Sequence, residues 1–312
     1  KSRSEPDLSS HNNGYVPIMC ANMTSVATVK MAAALHENKF MSALHKFYTN
    51  QQLTEYFLQD SSRLDSTFIT YGMEKDAIER AISLSENLGT PIKNICLDVA
   101  NGYQYHFLQQ IEKFAKAFPF ARLMAGNIVT AEGVRSLSRA GANIIKVGIG
   151  SGAACLTRKM TGVGYPQFSA VLECAQTALE LDVSVCSDGG HVVAGDICKA
   201  FVGGASYVML GSMLAGHAEC SESGDDQKIP YYGMSSDFAN EQFAGGLKSY
   251  RTSEGRQLYL DNRGPVKNTL VEIEGGIRSC MTYIGATTLE YMYKASYIKV
   301  NSQLNRSLEK YE

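Results

Sequence analysis

The sequence has no excess of charge of one sign: its 312 residues include 29 Lys and Arg against 31 Asp and Glu, a formal net charge of −2. That balance excludes a chain-wide basic field able to grip a nucleic-acid backbone or an anionic membrane, so any anion site has to be local. Long hydrophobic runs are missing too. No apolar stretch approaches the roughly 20 residues that span a bilayer, and Lys1-Ser2-Arg3-Ser4-Glu5 is no signal peptide, which makes a cytoplasmic location the expectation. The eight cysteines, at 20, 96, 155, 174, 186, 198, 220 and 280, form no CxxC pair and no zinc-type spacing with histidine, and HExxH does not occur. These absences argue against a disulfide scaffold and a metal catalyst. They leave thiols in a reducing compartment, several of them small core residues. Internal repeats, low-complexity tracts and a dividing linker are also absent, so residues 1–312 read as one domain.

What is present is ample core material, 45% hydrophobic residues against 19% charged. Eight short, nearly all-apolar runs recur along the chain: Val16–Met23, Lys39–Lys46, Thr67–Met73, Asn94–Asn101, Ala121–Ile128, Asn143–Gly150, Ser184–Gly190 and Tyr207–Met213. Such runs suit parallel strands covered on both faces. Helical spacing fills the stretches between them. In Lys75–Leu88, Ile78, Ile82 and Leu88 share one side while Glu74, Lys75, Glu79 and Arg80 are left to water. Tyr103–Ala117, Ala131–Ala140, Gln167–Leu181 and Gly195–Phe201 read the same way. Eight βα units in series predict an α/β fold of the (β/α)8 TIM-barrel type. The rival, a doubly wound dinucleotide fold, needs a glycine fingerprint in its first strand-to-helix turn, where this chain has Ala21-Asn22-Met23-Thr24-Ser25. The later cluster Gly148-Ile149-Gly150-Ser151-Gly152-Ala153 lacks the last glycine of GxGxxG.

Two places break the beat. An extra loop, about 151–166, follows the sixth run, and a polar, Gly-rich stretch with little periodicity, about 214–264, follows the eighth and reads as a long flap. Residues 266–293 return to helical patterning and are expected to close the barrel. Long loops at the carboxyl face of such a barrel are where substrates bind.

Ser187-Asp188-Gly189-Gly190, with a helix expected near Ala194, and Leu210-Gly211-Ser212-Met213 together form a candidate phosphate cradle, because glycine backbone N–H groups can approach an anion closely. The alternative is a pair of tight turns that merely require glycine. Asp188 could accept from ribose hydroxyls or could cap the following helix. Cys155 stands out among the cysteines, being flanked by glycines and followed by Arg158 and Lys159, cations that favour a thiolate over a thiol of ordinary pKa about 8.5. Thr157 could pass protons, and Glu254, in a glycine-flanked part of the flap, could serve as a general acid. Taken singly, these would be loop packing and surface charge. His36 reads as helix surface and His106 as a helix start.

Several of these residues match a known pattern. The stretch Ile145-Lys146-Val147-Gly148-Ile149-Gly150, then Cys155-Leu156-Thr157-Arg158-Lys159-Met160-Thr161-Gly162-Val163-Gly164-Tyr165-Pro166-Gln167, resembles the IMP dehydrogenase and GMP reductase family. Asp98-Val99-Ala100-Asn101-Gly102-Tyr103, Met124-Ala125-Gly126-Asn127, Ser187-Asp188-Gly189-Gly190, Tyr232-Gly233-Met234-Ser235-Ser236 and Gly275-Gly276-Ile277-Arg278-Ser279 extend the match in order over nearly the whole chain. There is no room between the second and third runs for the regulatory modules usual in the dehydrogenases. Glu254 and the Gly-Met-Ser-Ser stretch resemble the reductase branch.

The resemblance implies that Cys155 attacks C2 of the GMP purine to form a thioimidate, that Thr157 and Glu254 manage the proton on the departing ammonia, and that NADPH supplies hydride to give IMP. It places Asp188, Gly189, Gly190, Gly211 and Ser212 at ribose and phosphate, and Gly233, Met234, Ser235, Arg251, Thr252, Ser253 and Gly255 around the base. Lys46, Asp98, Val99, Ala100, Gly148, Ile149 and Met234 match cofactor positions. Gly150, Gly152, Cys155 and Arg158 match a potassium site, and a homotetramer is implied. Two readings compete with it: a dehydrogenase without regulatory modules and a catalytically silent purine-nucleotide binder. The chain departs from the family in having Ser151-Gly152-Ala153-Ala154 where Pro-Gly-Ser-Val is common, which removes a phosphate-touching hydroxyl at Ala153, and in having Leu156 for a usual threonine. Family members commonly begin with a further segment, so the resemblance leaves open a truncated or an incompletely ordered copy.

Overall fold

The eight apolar runs become eight parallel strands in a computed structural model that describes every residue except 1, 5, 10–13, 222–226, 244, 247–251 and 301–312. They are β1 Val16–Cys20, β2 Phe40–Leu44, β3 Thr67–Tyr71, β4 Asn94–Asp98, β5 Arg122–Ile128, β6 Ile144–Val147, β7 Ser184–Asp188 and β8 Tyr207–Leu210. Each pairs in parallel with its neighbour in sequence, and β1 also pairs with β8 through Ile18 and Val208, closing the barrel. Alternation of side chains then sorts residues into two cores. Met19, Met41, Phe68, Cys96, Met124, Ile144, Cys186 and Met209 pack together as the barrel filling. Their neighbours, such as Ile18, Leu44, Ile69, Leu97, Val147 and Val208, pack in the larger core beneath the helices.

The helices are α1 Val29–Glu37, α2 Asn50–Gln59, α3 Ala77–Leu88, α4 Tyr105–Ala117, α5 Ala131–Arg139, α6 Thr157–Thr161, α7 Gln167–Glu180, α8 Ala194–Val202, α9 Asp237–Phe243 and α10 Val266–Ile284. In α4, Phe107, Ile111 and Phe114 form the buried stripe, three and four residues apart, while Glu112, Lys113 and Lys116 face water. Thr49 opens α2 with a reciprocal capping box, its side chain accepting from Gln52 N while Gln52 reaches back to the Thr49 N–H.

Several expectations need correction. The apolar runs overshoot seven of the eight strands by two or three residues, because the carboxyl ends of the strands continue into apolar and glycine-rich loops. The α3 stripe is Ala77, Ala81 and Leu84; Ile82 is exposed, and Glu74 pairs with Lys46 instead of standing free in water. His36 is not helix surface. It is buried in α1, within 2.8 Å of Ser66 Oγ, and burial holds its imidazole below the usual range.

The described parts of the flap carry regular structure where the sequence suggested little periodicity. Strands β9 Lys228–Tyr232 and β10 Gln257–Asp261 form an antiparallel ribbon, with α9 between them in sequence. Pro230 lies in β9 and most of β10 is exposed, so neither strand carries an apolar run. Among the described residues no helix is long and apolar enough to cross a membrane.

Candidate active site

At the carboxyl ends of the strands, the loop after β6 lies on the glycine turn after β7. Ser151 Oγ donates to the Asp188 carbonyl at 3.1 Å. Gly189 has φ +85°, and a Cβ on it would come within 2.8 Å of Ser151 Oγ. Only glycine gives both the left-handed backbone and the space. Ser151 therefore brings a hydroxyl to the turn although Ala153 has none. Gly190 continues the turn with φ +78°, and α8 starts four residues on. Ser212, after β8, lies against the phenol of Tyr231, which also touches the Ala154 backbone; burial pushes that phenol up to about 12 and keeps it protonated. Tyr231 was not singled out in the sequence, because its strand went unrecognised.

The flap reaches the 151–166 loop by backbone pairing. Cys155 and Gly255 form an antiparallel bridge, Leu156 N donates to Glu254 O at 2.7 Å, and Arg256 N donates to Ala154 O at 2.9 Å. A Cβ on Gly233 would lie 2.9 Å from both the Ala154 carbonyl oxygen and Gly255 Cα, so this three-way approach requires glycine. The pairing delivers a connected chain of groups. Cys155 Sγ donates to Thr157 Oγ1 at 3.3 Å, and Thr157 Oγ1 donates to Glu254 Oε2 at 2.6 Å. Cys155 is half-buried and free. The two cations expected to act on it point to other tasks: the Arg158 guanidinium donates to the Tyr165 carbonyl at 2.8 Å, and Lys159 is exposed.

Met234 Sδ accepts from Thr24 N and Thr24 Oγ1, each at 3.4 Å, and Ser25 Oγ donates to Tyr232 O at 3.3 Å, so the loop after β1 also holds the flap. Ser235 O accepts from Glu254 N at 3.1 Å, and Ser253 Oγ reaches Gly255 O at 3.5 Å. Thr252 is exposed, and Arg251 lies outside the described residues.

Beneath the cradle is a charged cluster that the sequence reading missed. Lys146, on β6, is buried, with Nζ 2.6 Å from Asp188 Oδ2, 3.2 Å from Asp98 Oδ1 and 3.0 Å from Asn127 Oδ1. Asn127 Nδ2 donates to Asp188 Oδ2 at 2.8 Å, and Asn22 Nδ2 donates to Asp98 Oδ2 at 2.7 Å. Burial alone would lower the lysine, but the facing Asp188 and Asp98 carboxylates outweigh it and raise the ammonium above its ordinary value. Asp98, Lys146 and Asp188 stand two residues beyond Cys96, Ile144 and Cys186 of the barrel filling, so alternation makes them its uppermost layer. The available signal was a lone lysine inside Ile144-Ile145-Lys146-Val147.

Asp188 does not cap the next helix. Asp196 does so, accepting from Val192 N and Val193 N. Both side-chain bonds on Asp188 fall on Oδ2.

The remaining expected positions are more scattered. Lys46, two residues past the end of β2, is tied to Glu74 Oε1 at 2.7 Å. Val99 exchanges backbone bonds with Gly126 and Asn127, and Ala100 is exposed. Gly148 N donates to Ile128 O, and Ile149 O accepts from Tyr165 N. Gly150 has φ +76°; Gly152 O accepts from Cys155 N, and Arg158 O from Gly162 N. Among the described residues no three His, Cys, Asp or Glu side chains converge on a metal position. A cavity of about 530 Å³ at the amino end of the barrel, lined by residues such as Leu172, Phe201, Tyr207 and Tyr293, holds none of the expected site residues.

Comparison with known proteins adds an independent finding. The sequence profile of the family described as "IMP dehydrogenase / GMP reductase domain" matches residues 5–307. The chain is 42% identical to human GMP reductase 1, covering 98% of this chain and 92% of that protein, and 44% identical to human GMP reductase 2, covering 98% and 91%. It is 44% identical to GMP reductase of Vibrio atlanticus (strain LGP32), covering 93% of this chain and 85% of the relative.

Proposed function

The chain belongs to the IMP dehydrogenase / GMP reductase family, and from that premise we propose that it is a GMP reductase, converting GMP and NADPH to IMP, ammonia and NADP+. One observation carries the choice within the family: Glu254 of the flap is hydrogen-bonded to Thr157, which is hydrogen-bonded to Cys155. A carboxylate joined through a hydroxyl to the nucleophile can take the thiol proton and return it to a departing amine.

In this reading Cys155 Sγ adds to C2 of the purine, an electron-poor carbon that suits a soft nucleophile. The proton leaves along Thr157 to Glu254 and goes back to the 2-amino group. As the C2–N bond breaks, ammonia departs and a thioimidate remains on Cys155. NADPH, when bound, supplies hydride at C2, after which the C–S bond breaks and IMP is released. The chain's own work is to hold the nucleotide still. In this reading Asp188 Oδ1 takes the ribose, and the N–H groups of Gly189, Gly190 and Gly211 with the Ser212 hydroxyl take the phosphate. Ser151 takes the place at the cradle that Ala153 leaves open.

The residues present fit the cofactor. Asp98 keeps a partly exposed carboxylate for ribose hydroxyls and Lys46 a half-exposed ammonium for phosphate, although a phosphate there has to compete with Glu74. A monovalent cation fits the carbonyls of Gly150, Gly152 and Cys155, neutral oxygens of the kind potassium accepts. The carbonyls of Gly152 and Arg158 each already receive one N–H, which leaves one lone pair apiece. Potassium would fasten the 151–166 loop in the shape that presents the thiol. The reading takes residues 1–312 as one catalytic domain, cytoplasmic and assembled as a homotetramer.

The test is a coupled assay. GMP-dependent loss of NADPH absorbance with one ammonia per NADPH is expected, falling when lithium replaces potassium. Reduction of NAD+ by IMP would assign the dehydrogenase reaction, and tight GMP binding without turnover would assign a silent binder. Light scattering at four times the 34.0 kDa chain mass tests the assembly.

A further inference from the structure

Two cysteines outside the site lie one turn along from a close helix crossing: Cys198, buried on α8, and Cys280, half-buried on α10, both free thiols. The helices are brought together one turn earlier. A Cβ on Gly276 would lie 2.6 Å from Ala194 Cβ, an approach that only glycine permits, and Cys280 and Cys198 follow these two residues by four positions each. Ile197 and Phe201 on α8, with Ile277 and Met281 on α10, are buried beside the pair and keep the helices in register.

We propose that Cys198 and Cys280 form a peroxide-oxidisable dithiol, a modification site that joins α8 to α10 by a disulfide. The neighbouring Cys198 thiol draws Cys280 down to about 7, while Cys280, and then burial, hold Cys198 well above the usual thiol range. Cys280 is the more accessible of the two and the more readily ionised, so it meets the oxidant. Its sulfur attacks one oxygen of hydrogen peroxide, and the O–O bond breaks. Hydroxide leaves and takes up the proton that Cys280 released on ionising, giving the first water, and Cys280 becomes a sulfenic acid. Cys198 sulfur then attacks Cys280 sulfur and loses its S–H proton. The S–O bond breaks, a second water departs and the S–S bond forms. Two thiols are oxidised by two electrons in total, and the peroxide is reduced to two waters. The ring so closed contains β8 and the whole flap, including Glu254.

The test uses the full chain, reduced and then titrated with hydrogen peroxide, alkylated with N-ethylmaleimide in denaturant, digested and read by mass spectrometry. The peptides holding Cys198 and Cys280 are expected to appear linked, to separate with dithiothreitol, and to escape alkylation. Cys198→Ser is expected to leave a sulfenic acid on Cys280 that dimedone traps, and Cys280→Ser to leave neither linkage nor adduct on Cys198. Because the readout is peptide-specific, oxidation of Cys155 does not affect it. Full alkylation of Cys198 and Cys280 after peroxide is consumed overturns the proposal. So does Cys198→Ser protein, folded by circular dichroism, that gives no dimedone adduct on Cys280.

Discussion

Glu254 and Thr157 are separated by 97 positions in sequence and by one hydrogen bond in space, and the proposed chemistry depends on that bond. Glu254→Gln keeps the shape of the side chain but cannot take a proton. Release of ammonia from GMP is expected to slow by about 10²–10⁴-fold, the usual share of general acid–base catalysis, with hydride transfer from IMP in the reverse direction much less affected. Equal slowing in stopped-flow experiments in both directions would reduce Glu254 to a flap spacer. Lys146 invites a second test. Lys146→Met leaves Asp98 and Asp188 facing each other without a cation, at a cost of about 3 kcal/mol in urea unfolding. An unchanged midpoint would show that the carboxylates do not need it. At this scale the sequence displayed Cys155, Thr157 and Glu254 because each sits in glycine-rich text at the end of an element. It hid Lys146, Asn127 and Tyr231, whose roles depend on partners in other strands.

Among elements, the barrel strands were legible because burial on both faces leaves a continuous apolar signature, whereas their ends were not, since the loops at the carboxyl face are apolar as well. The flap ribbon was illegible for the opposite reason: β10 is mostly exposed and β9 contains Pro230, so the only signal left is pairing between segments 25 residues or more apart. Helix α2 went unread although Thr49-Asn50-Gln51-Gln52 spells the capping box that forms there. The seam between flap and loop is the element the reaction depends on. Gly233→Ala puts a methyl group against Ala154 O and Gly255 Cα and separates Glu254 from Thr157. A displacement of about 1 Å at a reacting group can cost about 10²-fold, and kcat is expected to fall by that order while the thermal midpoint of the barrel stays put. Preserved kcat would mean that the seam adapts.

For the molecule as a whole, the barrel sets both the place of the chemistry and the pH range in which the fold holds. His191 follows the glycine turn, buried beside Ser187 Oγ at 3.2 Å, and desolvation lowers its imidazole to about 4 from an ordinary 6.5. The folded state therefore binds the proton less readily than the unfolded chain. Its stabilising contribution is full above about pH 6.5 and is lost as pH falls toward 4, by up to about 3 kcal/mol. Urea melts of the protein between pH 7 and 4.5 are expected to show this loss, and His191→Gln to flatten it. An unaltered slope in the variant would assign the loss to other groups.

The most direct measurement of the central claim is the state of one sulfur. Protein mixed with GMP in the absence of NADPH, quenched in acid and digested, is expected to carry a purine nucleotide on the peptide containing Cys155, with ammonia released in equal amount. Cys155→Ala is expected to bind GMP within a few-fold of the parent and to lose turnover by at least about 10³-fold. An unmodified Cys155 peptide together with undiminished turnover in Cys155→Ala would contradict the account.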